Sequence, residues 1–234
     1  ILKAAILIAQ NKPLVVDEII PDKLNVGQVL VKVEASSVCG RQIGEITGAK
    51  GVDKFLPHLL GHEGAGIVEE IGPGVKTVKV GDKVVMHWRK GDGIESEFPK
   101  YQWNEKTIGG GLVTTFAEYS VVSENRITTV PASLSNEVAA LMGCAVTTAL
   151  GLVNNEAKLK VGQSIAIIGT GGVGLNIVQA AAMVSANPII AIDIVDEKLN
   201  LASKLGATHC INNKNNDLNG SINKIVGSKG VNVI

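Results

Sequence analysis

Two groups of residues have the types and spacing to do chemistry. The first is Gly169-Thr170-Gly171-Gly172-Val173-Gly174, a G-x-G-x-x-G turn. Such a turn means little by itself in a chain with 27 glycines. Here an apolar strand over 164–168 ends directly before it, a small-residue helix and a second apolar strand follow, and Asp193 closes that strand 19 residues after Gly174. This context makes the run a dinucleotide-binding fingerprint. Gly169 permits the tight turn, Gly171 lets the backbone approach a pyrophosphate, and Gly174 allows close helix–sheet packing. The helix N-terminus adds free N–H groups and a positive dipole end. Asp193 would accept hydrogen bonds from both adenosine ribose hydroxyls; otherwise it is a helix N-terminal residue beside Asp196. A carboxylate at this point repels a 2′-phosphate, and Ile194 and Val195 supply no cation, so NAD is expected over NADP.

The second group is scattered: Cys39 in Ser37-Val38-Cys39-Gly40, His62 with Glu63 in Gly61-His62-Glu63-Gly64, and Cys144 in Gly143-Cys144-Ala145. Taken singly, a cysteine is most often a small core residue and a histidine is usually structural. Together, two thiolates and one imidazole with a fourth position open form a known catalytic zinc arrangement.

The elements that must position these groups fall into two regions. Up to about residue 130, short β-branched runs at 3–8, 28–35, 64–71, 83–87 and 116–122 alternate with glycine turns, and 89–111 reads as a polar surface loop. After Pro131, Ser135 starts a small-residue helix running to about residue 153. Strand and helix then alternate: strands at 164–168, 189–193 and 208–212, helices at about 172–185, 196–205 and 217–227, and a last strand from Val231. That order specifies a parallel, doubly wound sheet. The expected domains are therefore 1–135 and 136–234, with a linking helix over 136–153. No initiator Met is present and the chain stops inside an apolar run, so the second mononucleotide half is expected to be missing.

Composition removes several classes. With 22 Lys+Arg against 22 Asp+Glu and no basic block, neither nucleic acid nor a membrane surface is expected as a partner. The uncharged stretch 161–192 is interrupted by the glycine turn and by Asn187-Pro188, so it does not read as a membrane span. Three cysteines without a Cys-x-x-Cys pair argue against a disulfide framework or a four-cysteine zinc site and fit a reducing cytoplasm.

Five ordered motifs now resemble the zinc-dependent medium-chain alcohol dehydrogenases, in particular the class III branch that includes glutathione-dependent formaldehyde dehydrogenase. They are the Cys39 segment, Gly61 to Gly64, Ile71-Gly72-Pro73-Gly74-Val75 with Val80 to Val85, Gly143 to Thr148, and the nucleotide fingerprint with Asp193. The resemblance implies a GroES-like β catalytic domain followed by a partial Rossmann domain. It also implies catalytic zinc on Cys39, His62 and Cys144 with Glu63 at the metal, Trp88 in the substrate channel, and Thr148 with the 169–174 turn around NAD. Small-molecule alcohols or aldehydes are the implied substrates, and the uncut protein is expected to be a homo-oligomer.

Three departures bear on activity. The loop 89–111 has no cysteine where the family carries four for a structural zinc, so a second zinc is expected to be absent. Arg41 stands where the family has the hydroxyl that receives the alcohol proton, and Gln42 where it has the carboxylate that orients the zinc-bound imidazole. Gly44 replaces the histidine that often ends the proton relay; His58 and His87 are the nearby imidazoles. Arg41 would anchor an anionic substrate, or else pair with Glu45 or Glu63. The leading function is NAD-dependent, zinc-assisted alcohol oxidation or aldehyde reduction. The alternatives are a zinc-free quinone or enoyl reductase of the same fold and a catalytically impaired nucleotide-binding protein.

Overall fold

The computed structural model describes residues 1–214 and 217–234. The chain divides into two compact units, Ile1–Cys144 and Ala145–Ile234.

In the first unit, β1 (Leu2–Leu7), β2 (Val15–Pro21), β4 (His58–Leu59), β7 (Lys100–Trp103) and β8 (Lys106–Gly109) close a barrel in the order β1-β2-β7-β8-β4. Alternating side chains fill it, with Leu2, Ala4, Ile6, Ile19 and Tyr101 all buried. Tyr101 is enclosed completely because its hydroxyl accepts from Val121 N at 2.9 Å, and burial pushes that phenol up to about 12. A five-stranded sheet adjoins it in the order β10 (Ile127–Thr129), β6 (Lys83–His87), β5 (Glu63–Ile71), β3 (Gln28–Ser36), β9 (Tyr119–Ser123). Val29, Val31, Val84, Met86 and Val122 make its core.

The expected strands of this region are present, with shifts of up to three residues at their ends. Five strands lie outside them: β2, β4, β10 and the pair β7 and β8. The loop expected over 89–111 holds the β7–β8 hairpin, whose turn residues Asn104 and Glu105 both have positive φ, 47° and 62°. That is the twist a two-residue hairpin needs, and asparagine adopts it readily.

The remainder, 89–99, is tied down by the short turn after β9. The buried Glu124 carboxylate accepts from Lys76 N at 2.6 Å and Thr77 N at 2.7 Å through one oxygen, and from Ile94 N at 2.8 Å through the other. Arg126 donates to Glu95 Oε1 at 2.7 Å and to the Trp88 carbonyl.

The second unit alternates as expected: β11 (Ile165–Ile168), α4 (Gly172–Met183), β12 (Ile189–Asp193), α5 (Asp196–Lys204), β13 (His209–Asn212) and α6 (Leu218–Val226). The three strands are parallel in the order β11-β12-β13. In place of the strand expected from Val231, a single parallel bridge joins Val233 to Ile165. Val178, Ala181, Ile189, Ala191 and Ala202 pack the sheet against its helices.

The helix expected over 136–153 is interrupted. It forms α2 (Asn136–Leu141), capped by Ser135 Oγ on Val138 N, then α3 (Ala145–Gly151) and a wider turn over Leu152–Glu156. α1 (Gly40–Ile46) completes the helices.

Burial works to raise the Glu124 carboxyl, but the N–H groups of Lys76, Ile94 and Thr77 outweigh it and hold it below the usual glutamate value. A carboxylate depressed in the folded state contributes stability that is complete above its unfolded pKa and is lost as pH falls through the folded one. Glu124→Gln, with one acceptor oxygen for three part-buried donors, is expected to destabilise the first unit by about 1 to 3 kcal/mol near neutral pH. The difference should shrink below roughly pH 4 as the wild-type carboxylate protonates; urea unfolding at the two pH values measures it.

Candidate active site

The pairing of β3 with β5 brings the first two candidate ligands together. Ser36 at the end of β3 lies opposite Gly64 near the start of β5. Cys39 is three residues beyond one and His62 two residues before the other, so both leave the sheet at the same end.

Cys144 arrives from further along the chain. Ala139 and Ala140 of α2 pack on Ala65 and Val85, which lays the end of that helix across β5 and β6. Gly143 then makes the closest approach: a Cβ on it would stand 2.3 Å from the Met86 carbonyl and 2.7 Å from Glu63 Cβ. No other residue fits there. The result is that Cys39 Sγ, a ring nitrogen of His62 and Cys144 Sγ all lie within 4.8 Å of one another, the one such group of three or more potential metal donors among the described residues. Bonds of about 2.0 to 2.3 Å at tetrahedral angles put donors roughly 3.5 to 4 Å apart, so this set fits zinc with only small side-chain adjustments.

Glu63 follows His62 and is almost fully buried, but its carboxylate is outside the three-donor group; Oε1 accepts from Ser37 Oγ. Its carbonyl accepts from Ser36 Oγ at 3.2 Å and Thr115 Oγ1 at 3.0 Å, pinning the strand at this point. Gln42, also buried, contacts His62 Nδ1 and accepts from Cys39 N at 3.1 Å. It therefore touches both ligands from β3 and β5. Burial lowers the His62 pKa, the Glu63 and Glu45 carboxylates oppose it, and Arg41 and Lys50 add to it; the net is a neutral imidazole near pH 7.

The remaining residues around the site have mixed outcomes. Arg41 pairs with Glu45 at 3.4 Å, four residues on along α1, and its side chain is 64% exposed. Lys50 lies over Gly44, where a Cβ would meet its Cε at 3.7 Å. His58 is committed to Asp53 at 2.8 Å and to the Leu59 carbonyl, and His87 to Thr128 and the Arg89 carbonyl. Trp88 is half-exposed at the end of β6, one residue past the His87 that pairs with Glu63, with the Arg89 guanidinium 5.5 Å from its ring. No signal in the residue pattern pointed to Ser37 or Lys50.

In the second unit the glycine turn follows β11 directly. Gly169 has φ of 89°, and a Cβ on Gly174 would stand 1.9 Å from the Gly169 carbonyl, so the start of α4 can close on the strand only without side chains. Gly171, Gly172 and Val173 make the first turn of α4 and its approach, and Thr148 lies in α3. Thr170 is buried and donates twice to Asp193, from N at 2.7 Å and from Oγ1 at 3.0 Å. Asp193 also accepts from Ile194 N at 2.8 Å and Val195 N at 3.1 Å. The Thr170 N–H above all, with Ile194 and Val195, outweighs partial burial and holds this carboxyl below its usual value.

Two family models match the chain, the alcohol dehydrogenase GroES-like domain over residues 25–132 and the zinc-binding dehydrogenase domain over 172–234. The chain superposes on an alcohol dehydrogenase zinc-binding domain protein from Burkholderia ambifaria with a TM-score of 0.85 at 31% identity, covering 96% of this chain and 67% of that one. The chain belongs to the zinc-dependent alcohol dehydrogenase family. Benzyl alcohol dehydrogenase from Acinetobacter calcoaceticus, another solved structure of similar fold, gives a TM-score of 0.84 at 30% identity over 96% of this chain and 67% of its own. Among curated proteins, S-(hydroxymethyl)glutathione dehydrogenases are 35% identical in Synechocystis and 37% in an Escherichia coli strain, over 92% and 90% of this chain. The chain spans 65% and 63% of the length of those two relatives.

Because the Gly143 contact sets where Cys144 stands, Gly143→Ala is expected to disperse the three donors. Cobalt(II) titration checks this: the thiolate charge-transfer band of the wild type should be lost or fall several-fold, while nucleotide binding by the second unit is retained.

Proposed function

We propose that this dehydrogenase-family chain carries the metal and nucleotide centres of an NAD-dependent alcohol dehydrogenase or aldehyde reductase. The convergence of Cys39, His62 and Cys144 within 4.8 Å supports that reading most strongly. Zinc held there, when bound, would act as a Lewis acid that eases loss of the alcohol proton, with NAD as hydride acceptor. The chain's own residues do the rest. The two thiols and the neutral His62 offer three ligands and leave a fourth direction for substrate oxygen. Glu63, fixed by Ser37, positions the strand that presents His62. The N-terminus of α4 faces a pyrophosphate with free N–H groups. Asp193, kept ionised by its donors, disfavours a 2′-phosphate.

The zinc-free reductase alternative has no use for two thiols and an imidazole brought together from three segments. We also propose that the chain takes one zinc only. The segment 89–99 is organised by Glu124 and Arg126 instead of by cysteines.

An anionic alcohol or aldehyde suits the charges near the site. The exposed Arg41–Glu45 pair is worth only about 0.3 to 0.5 kcal/mol, so Arg41 can exchange Glu45 for a substrate carboxylate or phosphate, with Lys50 over Gly44 alongside. In the full-length protein, Arg41→Ala is expected to lower kcat/KM for an anionic substrate far more than for a neutral analogue; equal losses would leave Arg41 with the Glu45 pair alone.

Metal analysis tests the centre: about one zinc per chain is expected, lost in Cys39→Ala, His62→Ala and Cys144→Ala without loss of nucleotide binding. Titration with the two nucleotides tests the second unit. NAD should bind at least about tenfold more tightly than NADP, and Asp193→Ala should narrow the gap.

A further inference from the structure

We infer that Gln42 sets the tautomer of His62 and thereby lowers the affinity of the three-donor site for zinc, so that the metal is held more weakly and exchanges more readily than a carboxylate at this position would allow. The inference rests on the zinc reading above, and the juxtaposition that carries it is one buried amide touching the backbone of one ligand and the ring of another.

The argument is an inventory of donors and acceptors. Gln42 offers one carbonyl oxygen and one NH2 group. Its Oε1 accepts from Cys39 N at 3.1 Å, which turns its NH2 toward His62 Nδ1. A nitrogen that receives an N–H must present its lone pair, so Nδ1 is bare and the ring proton sits on Nε2. With Nδ1 occupied by Gln42, Nε2 is the nitrogen left for a metal, and a nitrogen that carries a proton is not a ligand.

Zinc binding therefore requires the proton to move to Nδ1, where it faces the amide NH2. Either the amide turns over, so that its oxygen accepts from Nδ1–H and its NH2 meets the Cys39 N–H, or one donor stays unmatched. In both cases a donor is set against a donor at the buried Gln42 amide, which is costly. A carboxylate of the same length has no such conflict: it accepts from Cys39 N and from Nδ1–H together. Groups that orient a metal-bound imidazole typically alter metal affinity 10- to 100-fold. Gln42 is a positioning residue here, since it acts through His62.

Two measurements on the protein and its Gln42→Glu and Gln42→Leu variants test this. The first is the ring-nitrogen correlation spectrum of His62 without metal. The wild type is expected to carry its proton on Nε2 and Gln42→Glu on Nδ1; a wild-type proton on Nδ1 overturns the inference. The second is the zinc dissociation constant, taken by competition with a chromophoric chelator, with Cys39→Ala marking the site. Gln42→Glu is expected to bind zinc at least about tenfold more tightly than wild type, and Gln42→Leu, which removes the opposing NH2, no more weakly than wild type. A purely structural glutamine would make both variants weaker, so a Gln42→Glu variant that folds and binds zinc no better than wild type also overturns it. If Cys39→Ala leaves zinc binding unchanged, the zinc centre itself fails and the affinity claim falls with it, while the nitrogen spectrum still decides the tautomer.

Discussion

The approach of the Gly143 backbone to Glu63 and the Met86 carbonyl is the contact on which the site depends. β5 brings His62 and Glu63 to the end of the sheet, and β3 brings Cys39 to the same end through ordinary antiparallel pairing. Neither strand supplies the third donor. That donor comes from a turn between two short helices some eighty residues later, and it reaches the others only because a residue without a side chain lets the turn lie against β5 and β6. The packing of Ala139 and Ala140 on Ala65 and Val85 has the same character, small residues accepted so that a helix can sit close to a sheet. The three-donor group in this unit is thus an outcome of close packing between apolar and small groups, with the polar contacts of Gln42, Ser37 and Thr115 made by the residues around it.

Much of this could be read in the residues. β11 to α6 follow from alternating apolar runs and helix-period segments, and the glycine fingerprint located the turn between β11 and α4 because its glycines answer backbone constraints. The first region was harder. β2, with Asp17 and Glu18 in mid-strand, and the two-residue β4 carry too little apolar pattern to stand out, and both owe their conformation to neighbours in the barrel. The β7–β8 hairpin did have a signal, a Trp-Asn-Glu-Lys turn between β-prone residues, obscured by the polar glycine-containing stretch on both sides. The break in the helix at 142–144 was not legible because Met142, Gly143 and Cys144 are compatible with continued helix; the contact that interrupts it involves residues distant in sequence.

The segment 89–99 illustrates how one structural demand can be met by different chemistry. A long polar loop beside a sheet needs its backbone N–H groups satisfied and its ends fixed. Here a single carboxylate gathers donors from 76–77 and from Ile94, while Arg126 adds the Trp88 carbonyl and Glu95. Charge-assisted bonds of this kind are directional and are strengthened by burial, so two side chains are enough to organise the segment. The arrangement also reaches toward the site, because Trp88 directly follows the strand residue paired with Glu63.

Asp193 joins the start of α5 to the glycine turn. It accepts from Ile194 N and Val195 N on one side and twice from Thr170 on the other. A carboxylate has about four acceptor directions, and four protein donors already use them. Ribose hydroxyls bound there would have to share or displace one of these bonds, and the bond to the Thr170 hydroxyl, a group that can rotate, is the one given up most easily. The contribution of Asp193 to affinity is then a difference between two similar hydrogen bonds and is modest. On the proposed reading its contribution to discrimination would be larger, because a 2′-phosphate would meet a full negative charge whose neutralisation by protonation the surrounding N–H groups resist.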